Sequence, residues 1–438
     1  MRRATLACAL AGFVHSRQFI PNHVISFVVM PTATLHPEPS IADIPVRFLL
    51  DRAAKAALRG EGNVEPNPLV GAILWRDGKV LGIGHHRRFG QIHAERDAIN
   101  AARALGHDLR GSTILVTLEP CAHQGKQPPC THAILEAGIS RVIFARQDPN
   151  FIAAGGAEYL RSKGVNCIER HDSTLAYRLA DPFVHRINTG LPWIICKWAQ
   201  TIDGRVATRL GESKWISGER ARARVHRMRG RVDAIITGIG TVAADDPLLT
   251  ARGVHPRTTA LRVVCDTDLS IPLDAQLVTS ARNTPTAIAF DKDLDGVSIA
   301  EDKREALRAS GVILIPAPTT SMARGLDLRA TLAILARDHG VHTALVEAGP
   351  GMIGSLLEHD LVDEAVVYIA PMMLGDELAR SVAVGRVAET LRHATRFDLM
   401  RVRSLFAATN NYGNGASLGG GDVELTYRRR WHNQAPQP

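Results

Sequence analysis

Twice along these 438 residues, short apolar runs alternate with stretches of helical apolar spacing, and that rhythm restricts the chain to layered α/β folds. In the first series, residues 46 to 59 carry Phe48, Leu49, Ala53, Ala56 and Ala57 at helical intervals. Residues 69 to 75 and 79 to 84 are apolar runs flanking Asp77-Gly78, a hairpin signal. Helices are expected over 94 to 105 and 132 to 137, with strands at 113 to 118 and 141 to 145. The segment 174 to 189 is expected to be a bridging helix and linker. A second series begins near Leu191, with strands at 193 to 198, 234 to 237, 261 to 265, 286 to 290, 312 to 316, 343 to 346 and 365 to 370. Its helices are expected at 218 to 229, 330 to 339 and 352 to 359. A Gly/Asn/Ser-rich loop over 407 to 421 leads into a closing strand at 422 to 427. The expected organisation is therefore an N-terminal extension over 1 to 45 and two domains, 46 to 190 and 191 to 438.

Composition excludes several classes. A hydrophobic share of 45% with 22% charged residues describes a folded rather than disordered chain. No apolar run reaches the roughly 18 residues of a spanning helix. The net charge of +8 is scattered, with no aromatic-interleaved basic stripe, so neither a nucleic acid nor a membrane is an expected partner. Six cysteines in a chain of this size form no disulfide framework and fit a reducing, cytoplasmic setting. A homo-oligomer is expected, although no residue pattern gives its size. In the extension, Arg2 and Arg3 precede an apolar stretch from Ala4 to Val14, and no acidic residue occurs before Glu38. A targeting peptide, a poorly ordered extension and an upstream start with Met30 as initiator all fit that pattern.

The sharpest chemical signal is His93-Ala94-Glu95 followed by Pro120-Cys121 and Cys130. One imidazole and two thiolates leave a fourth tetrahedral position for water, as in a catalytic zinc site. Such a metal brings the pKa of its water towards about 7. Glu95, two residues past the histidine at a helix start, can shuttle a proton without joining the metal. This is the pattern of zinc nucleobase deaminases. A solvated His-Glu pair beside two core cysteines is the plain reading, and the ordered set of four residues disfavours it. His85 and His123 lie nearby and are left off the metal set.

Here the cysteines are eight residues apart, Ala122 to Pro129, rather than the two usual in nucleoside and tRNA-editing deaminases. The stretch from Leu118-Glu119-Pro120-Cys121 through Gly125-Lys126-Gln127-Pro128-Pro129-Cys130 resembles the deaminase half of the bifunctional riboflavin biosynthesis deaminase–reductases. So do Pro66-Asn67-Pro68-Leu69-Val70-Gly71, Gly84-His85-His86 and Asp148-Pro149-Asn150. The resemblance implies that Asn67, His86, Lys126, Asp148 and Asn150 contact the pyrimidine or its ribose phosphate. Asn67 and Asn150, each beside a proline, also suit plain turn positions. After Asn150 the sequence departs from the family, with Phe151-Ile152-Ala153-Ala154-Gly155 where a second proline and a Gly-Lys-Gly-like turn are usual.

Residues 191 to 376 resemble the reductase half of the same enzymes, a domain of dihydrofolate-reductase-like fold. The matching stretches are Lys197-Trp198-Ala199-Gln200-Thr201-Ile202-Asp203-Gly204-Arg205, Gly211 to Ser217, His226-Arg227-Met228-Arg229, Gly238 to Val242, Asp245 to Thr250 and Glu347-Ala348-Gly349. Gly349-Pro350-Gly351-Met352-Ile353-Gly354 falls between an expected strand and helix, where glycines and a helix N-terminus suit a pyrophosphate; a tight turn is the bland alternative. The resemblance implies NADPH lined by Ala199, Trp215, Thr241, Asp245, Gly349, Pro350, Gly351, Met352, Ile353, Gly354 and Ser355. It implies a substrate held by Ser213, Arg229, Leu249, Arg252 and Glu347, the two arginines being natural phosphate partners. Lys197 and Asp203 are candidates for supporting roles. The implied fold is a cytidine-deaminase-like three-layer domain followed by the reductase domain. The implied function is hydrolytic deamination of 2,5-diamino-6-(5-phosphoribosylamino)pyrimidin-4(3H)-one, then NADPH-dependent reduction of the ribosyl to the ribityl chain. The alternative is a single-activity zinc nucleobase or nucleoside deaminase with a non-catalytic C-terminal domain.

Overall fold

The computed structural model describes residues 44–214, 216–294, 298–320, 325–385, 388–406 and 421–430. The N-terminal extension up to residue 43, Trp215 and the glycine-rich loop over 407–420 lie outside the described residues.

The first sheet holds β1 (Gly71–Arg76), β2 (Lys79–His85), β3 (Thr113–Val116), β4 (Arg141–Phe144) and β5 (Asn166–Glu169) in the order β2-β1-β3-β4-β5. The β1–β2 hairpin turns on Asp77 and Gly78 at φ 50° and 77°, the left-handed pair that a two-residue turn needs. β1 also runs antiparallel to β3, and β3, β4 and β5 are parallel. Alternation along β1 divides the core. Ala72 and Leu74 pack with α2 (Ala94–Ala104), α3 (Cys130–Glu136) and α4 (Gly156–Ser162). Ile73 and Trp75 pack with α1 (Val46–Ala57) and α5 (Thr174–Arg178) on the other face. The result is a helix–sheet–helix sandwich. A Cβ at Gly84 would stand 2.2 Å from the Ala98 nitrogen, so glycine there allows α2 to sit directly on β2.

The expected bridge over 174 to 189 is two helices, α5 and α6 (Asp181–Thr189), because Pro182 starts a new helix rather than continuing one. Its ion pairs tie the halves together. Arg178 bonds Asp181 at 2.8 Å and Asp398 at 3.0 Å, and Arg428 pairs with Asp181 at 3.7 Å.

The second half contains β6 (Trp193–Gln200), β7 (Arg205–Ala207), β8 (Ala234–Gly238), β9 (Leu261–Cys265), β10 (Thr286–Asp291), β11 (Ile313–Ala317), β12 (Thr343–Val346), β13 (Glu364–Ile369), β14 (Arg380–Ser381), β15 (Phe397–Leu405) and β16 (Asp422–Arg429). Nine form one sheet, β11-β10-β9-β8-β12-β6-β13-β16-β15, parallel from β11 to β13 and antiparallel over the last two; β7 and β14 pair separately. The helices α7 (Glu219–Arg229), α8 (Ile239–Asp245), α9 (Gln276–Thr279), α10 (Ser298–Ala309), α11 (Leu328–His339) and α12 (Pro350–Glu358) cover both faces. Ile194, Ala344 and Val346 pack towards α11, whereas Ile235, Val264 and Leu345 pack towards α9 and α10. Among the described residues, no helix is long and apolar enough to cross a membrane.

Candidate functional site

His93 is the residue immediately before α2, with an extended backbone, and Glu95 lies in the helix's first turn, where the dipole favours an acid. Cys121 follows the exit of β3, and Cys130 opens α3. These three chain entries converge. The His93 Nδ1 lies 3.6 Å from the Cys121 Sγ and 3.3 Å from the Cys130 Sγ. Two ligands on one tetrahedral zinc, at about 2.0 Å for nitrogen and 2.3 Å for sulfur, stand about 3.5 Å apart. Nitrogen and both sulfurs lie within 4.8 Å of one another, the one such group among the described residues. The donor set therefore fits zinc. The hydrogen bond with Cys130, with His93 beside it, pulls the Cys121 thiol down to about 4, and the same bond pushes Cys130 well up. Neither His85 nor His123 joins the group. The His85 ring faces Asp97 at 3.8 Å.

Glu95 is 3% exposed. Burial raises its carboxyl to about 7, with Cys121 adding to the shift. It opens onto a cavity of about 210 Å³ that His93, Cys121 and all five expected pyrimidine contacts line: Asn67, His86, Lys126, Asp148 and Asn150. His86 bonds the Ile92 carbonyl through Nδ1 at 3.1 Å and the Asn67 amide through Nε2 at 3.3 Å, and its burial lowers its pKa. The Lys126 ammonium sits 4.0 Å above the Phe89 ring. Asp148 and Asn150 also build the turn between them: Asp148 accepts the Asn150 N–H at 2.9 Å, and Asn150 accepts the Ile152 N–H at 3.2 Å. Burial raises the Asp148 carboxyl to about 6.

Sequence reasoning missed several wall residues, among them Phe89, His123, Gln127 and Phe183. His123 carries a buried Nδ1 without a hydrogen bond. Gln127 donates to the Gly90 carbonyl at 2.8 Å, tying the long cysteine loop to the loop after β2. Phe183 arrives from α6, too far along the chain for any local pattern to place it.

In the second half, the C-terminal ends of β6, β8 and β12 bring Lys197, Thr237 and Glu347 together. Glu347 accepts from Arg229 at 2.6 and 3.1 Å and from Lys197 at 3.1 Å. Burial pushes its carboxyl up, but Lys197 and Arg229 outweigh that and hold it at about 2. Arg229 also donates to the Thr250 carbonyl at 3.2 Å, and the exposed Arg252 reaches the Thr250 hydroxyl at 3.1 Å. Leu249 is buried at φ 48°, a left-handed turn that presents Thr250. Ser213 is exposed. A Cβ on Gly349 would lie 3.8 Å from the Thr241 hydroxyl, and one on Gly351 would meet open space, so α12 begins as an uncovered backbone cradle suited to a phosphate. Pro350, Met352 and Ser355 occupy the same opening turns. Ile353 instead enters the core, and a Cβ at Gly354 would stand 1.9 Å from the Val384 carbonyl, so these two pack inward. Asp245 pairs with Lys214 at 3.4 Å, and Ala199 packs beneath α7.

Residues 46–146 match the cytidine and deoxycytidylate deaminase zinc-binding region, and residues 192–407 match the RibD C-terminal domain. The riboflavin biosynthesis protein RibD of Actinobacillus pleuropneumoniae is 37% identical over 349 residues, 80% of this chain and 89% of that protein. That of Escherichia coli is 36% identical over 361 residues, 81% of this chain and 95% of that protein. The chain belongs to the RibD family. RibD from Acinetobacter baumannii superposes with a TM-score of 0.67 at 31% identity, covering 88% of this chain and 99% of that one. The Thermotoga maritima diaminohydroxyphosphoribosylaminopyrimidine deaminase/5-amino-6-(5-phosphoribosylamino)uracil reductase gives 0.68 at 28% identity over the same shares. As a RibD-family member the chain is a bifunctional deaminase and reductase of riboflavin biosynthesis. The reading as a single-activity deaminase is not favoured.

Proposed function

We propose that residues 46 to 190 deaminate 2,5-diamino-6-(5-phosphoribosylamino)pyrimidin-4(3H)-one, and that the domain from residue 191 reduces the ribosyl chain of the product with NADPH. The observation that carries this reading is the cavity in which His93, Glu95 and Cys121 face the five pyrimidine contacts. His93, Cys121 and Cys130 would hold zinc, which supplies an activated water at neutral pH. Glu95 would take one proton from that water and pass it to the ring nitrogen, then take the second, from the hydroxyl added to the ring carbon, and pass it to the departing ammonia. Lys126 offers a point charge to the phosphate, while Asn67, His86, Asp148 and Asn150 orient the ring.

In the reductase half, Gly349, Pro350 and Gly351 would cradle the phosphates of NADPH, with Thr241, Ala199, Asp245, Met352 and Ser355 beside them; Trp215 joins this set by resemblance. The nicotinamide supplies the hydride. Arg229 and Arg252 would hold the substrate phosphate, with Ser213, Leu249 and Glu347 shaping its site. Exposed Leu399, Val402 and Phe406 on or just past the edge strand β15 support assembly as a homo-oligomer. The expected setting is the cytoplasm.

The test is direct. Purified chain should contain about one zinc per molecule, release ammonia from the diaminopyrimidinone phosphate, and oxidise NADPH when given the deaminated product. Protein with no zinc and no ammonia release would overturn the deaminase half. Absence of NADPH oxidation with authentic product would overturn the reductase half.

A further inference from the structure

Between the two sheets lies a cleft of about 670 Å³. Asn67, Pro68 and Phe183 line both this cleft and the deaminase cavity, so the two spaces share a wall. Its far side is formed by α7 and by Ile195, one pleat before Lys197 on the same face of β6.

The cleft is strongly biased in charge. Eight arginine and lysine side chains line it against four glutamates. Arg224 and Arg403 share Glu424, Arg428 holds Glu364, and Arg231 holds Glu61. Glu65, the fourth, is turned to the Gly62 N–H at 3.2 Å, and burial raises its pKa. Lys55, Arg227 and Arg401 line the cleft with no carboxylate partner among the described residues, and Arg186 bonds only the Pro66 carbonyl, at 3.2 Å. Arg224, Arg227 and Arg231 recur at i, i+3 and i+7, which aligns them along one side of α7 and the turn after it. From the same helix Arg229 reaches Glu347 in the reductase site.

We propose that this cleft binds the phosphate-bearing product of the deaminase and carries it to the reductase before it mixes with bulk solvent. The proposal rests on the bifunctional reading above. The volume lies within the range of roughly 300–1,000 Å³ typical of small-molecule sites, too confined for a nucleic acid. A phosphate dianion leaving past Phe183 enters a cleft in which Lys55, Arg186, Arg227 and Arg401 have no carboxylate partner among the described residues, and such guanidinium groups bind phosphate oxygens in a fork. Because Lys55, Arg227 and Arg401 are exposed, the guidance is electrostatic rather than a sealed tunnel, and it weakens beyond a Debye length of about 8 Å at physiological salt.

Isotope dilution tests this on the full chain. Labelled diaminopyrimidinone phosphate and NADPH are supplied with excess unlabelled deaminated intermediate, and label is counted in the reduced product. Wild type should deliver label several-fold above the bulk-mixing ratio. Lys55→Glu/Arg401→Glu should bring it to that ratio while each separately assayed activity stays within about twofold, and Arg401→Gln should fall between. Raising the salt to about 0.5 M should do the same, since screening then acts within a few ångströms. Wild-type label at the bulk ratio, or protection unchanged by charge reversal, would overturn the proposal while normal separate rates leave the bifunctional reading intact. Failure of either separate assay in wild type would overturn that reading, and this proposal with it.

Discussion

Arg229 grips Glu347 with two bonds, Nε to Oε1 at 2.6 Å and Nη2 to Oε2 at 3.1 Å, while Lys197 holds the second oxygen at 3.1 Å. The carboxylate is 9% exposed, so its ionisation depends on those two cations.

A pH-dependent contribution to stability follows. The folded pKa of about 2 lies below the unfolded value of about 4.3. The stabilisation is therefore complete above about pH 4.5 and is lost as pH falls towards 2. A shift of that size is worth on the order of 3 kcal/mol. Glu347→Gln should lower the urea midpoint at pH 7 and cost NADPH oxidation at least tenfold, because both cations lose their partner. The difference in midpoint between variant and wild type should shrink steadily below pH 4. A difference that stayed constant from pH 7 to pH 3 would refute the ion-pair account.

Glu95→Gln separates metal binding from proton transfer. Gln keeps the shape but cannot shuttle a proton, so ammonia release should fall by about 10²–10⁴-fold. Zinc content should remain at the wild-type level, since Glu95 stands outside the His93–Cys121–Cys130 group. The reductase rate should not change. Loss of zinc in this variant, read by elemental analysis, would mean that Glu95 is a ligand.

Asp148 carries the opposite sign from Glu347. Burial lifts its folded pKa to about 6, above an unfolded value of about 3.9, so wild type loses stability as pH rises from 4 to 6. Asp148→Asn should therefore raise stability at pH 7 by roughly 2 kcal/mol and leave it unchanged near pH 3.5. Deaminase activity should fall despite the gain. Thermal melts across that range check the sign, and a variant less stable at pH 7 would contradict it.

The clustering of His93, Cys121 and Cys130 was legible because metal chemistry fixes residue types and order, and each member stands at a strand end or helix start. The buried strands were legible for a similar reason: β8, β9, β10 and β12 are short apolar runs whose ends the sequence marks. β15 was not expected. Its arginines sit where apolar residues would signal a strand, and the irregularity between Leu399 and Arg401 breaks its period of two. α10 was missed because it is a charged helix in which, among its described side chains, Leu307 and Arg304 are buried. In α12, a glycine pattern read as wholly cofactor-facing divides into Gly349 and Gly351 at the open cradle and Gly354 against Val384. Contact partners 30 residues away decide that division, and no local window contains them.

Glu119 links the loop that enters Cys121 to the loop after β4. Its carboxylate, 8% exposed, accepts the Ala157 N–H at 2.9 Å and the Asp148 N–H at 3.3 Å. Between those two residues runs the segment whose sequence departs from the family, Phe151 to Gly155, with Phe151 88% exposed. Two backbone donors fixed by one acid hold Asp148 and Asn150 at the cavity whatever the intervening residues are. Glu119→Ala leaves both donors without a partner, a cost of about 1–3 kcal/mol for each that stays buried. The KM for the pyrimidine phosphate should rise about tenfold or more, while kcat falls less and zinc content is unchanged. Glu119→Gln, which keeps one acceptor oxygen, should recover part of the KM effect. Equal falls in kcat and kcat/KM with unchanged KM would instead place Glu119 in the chemical step.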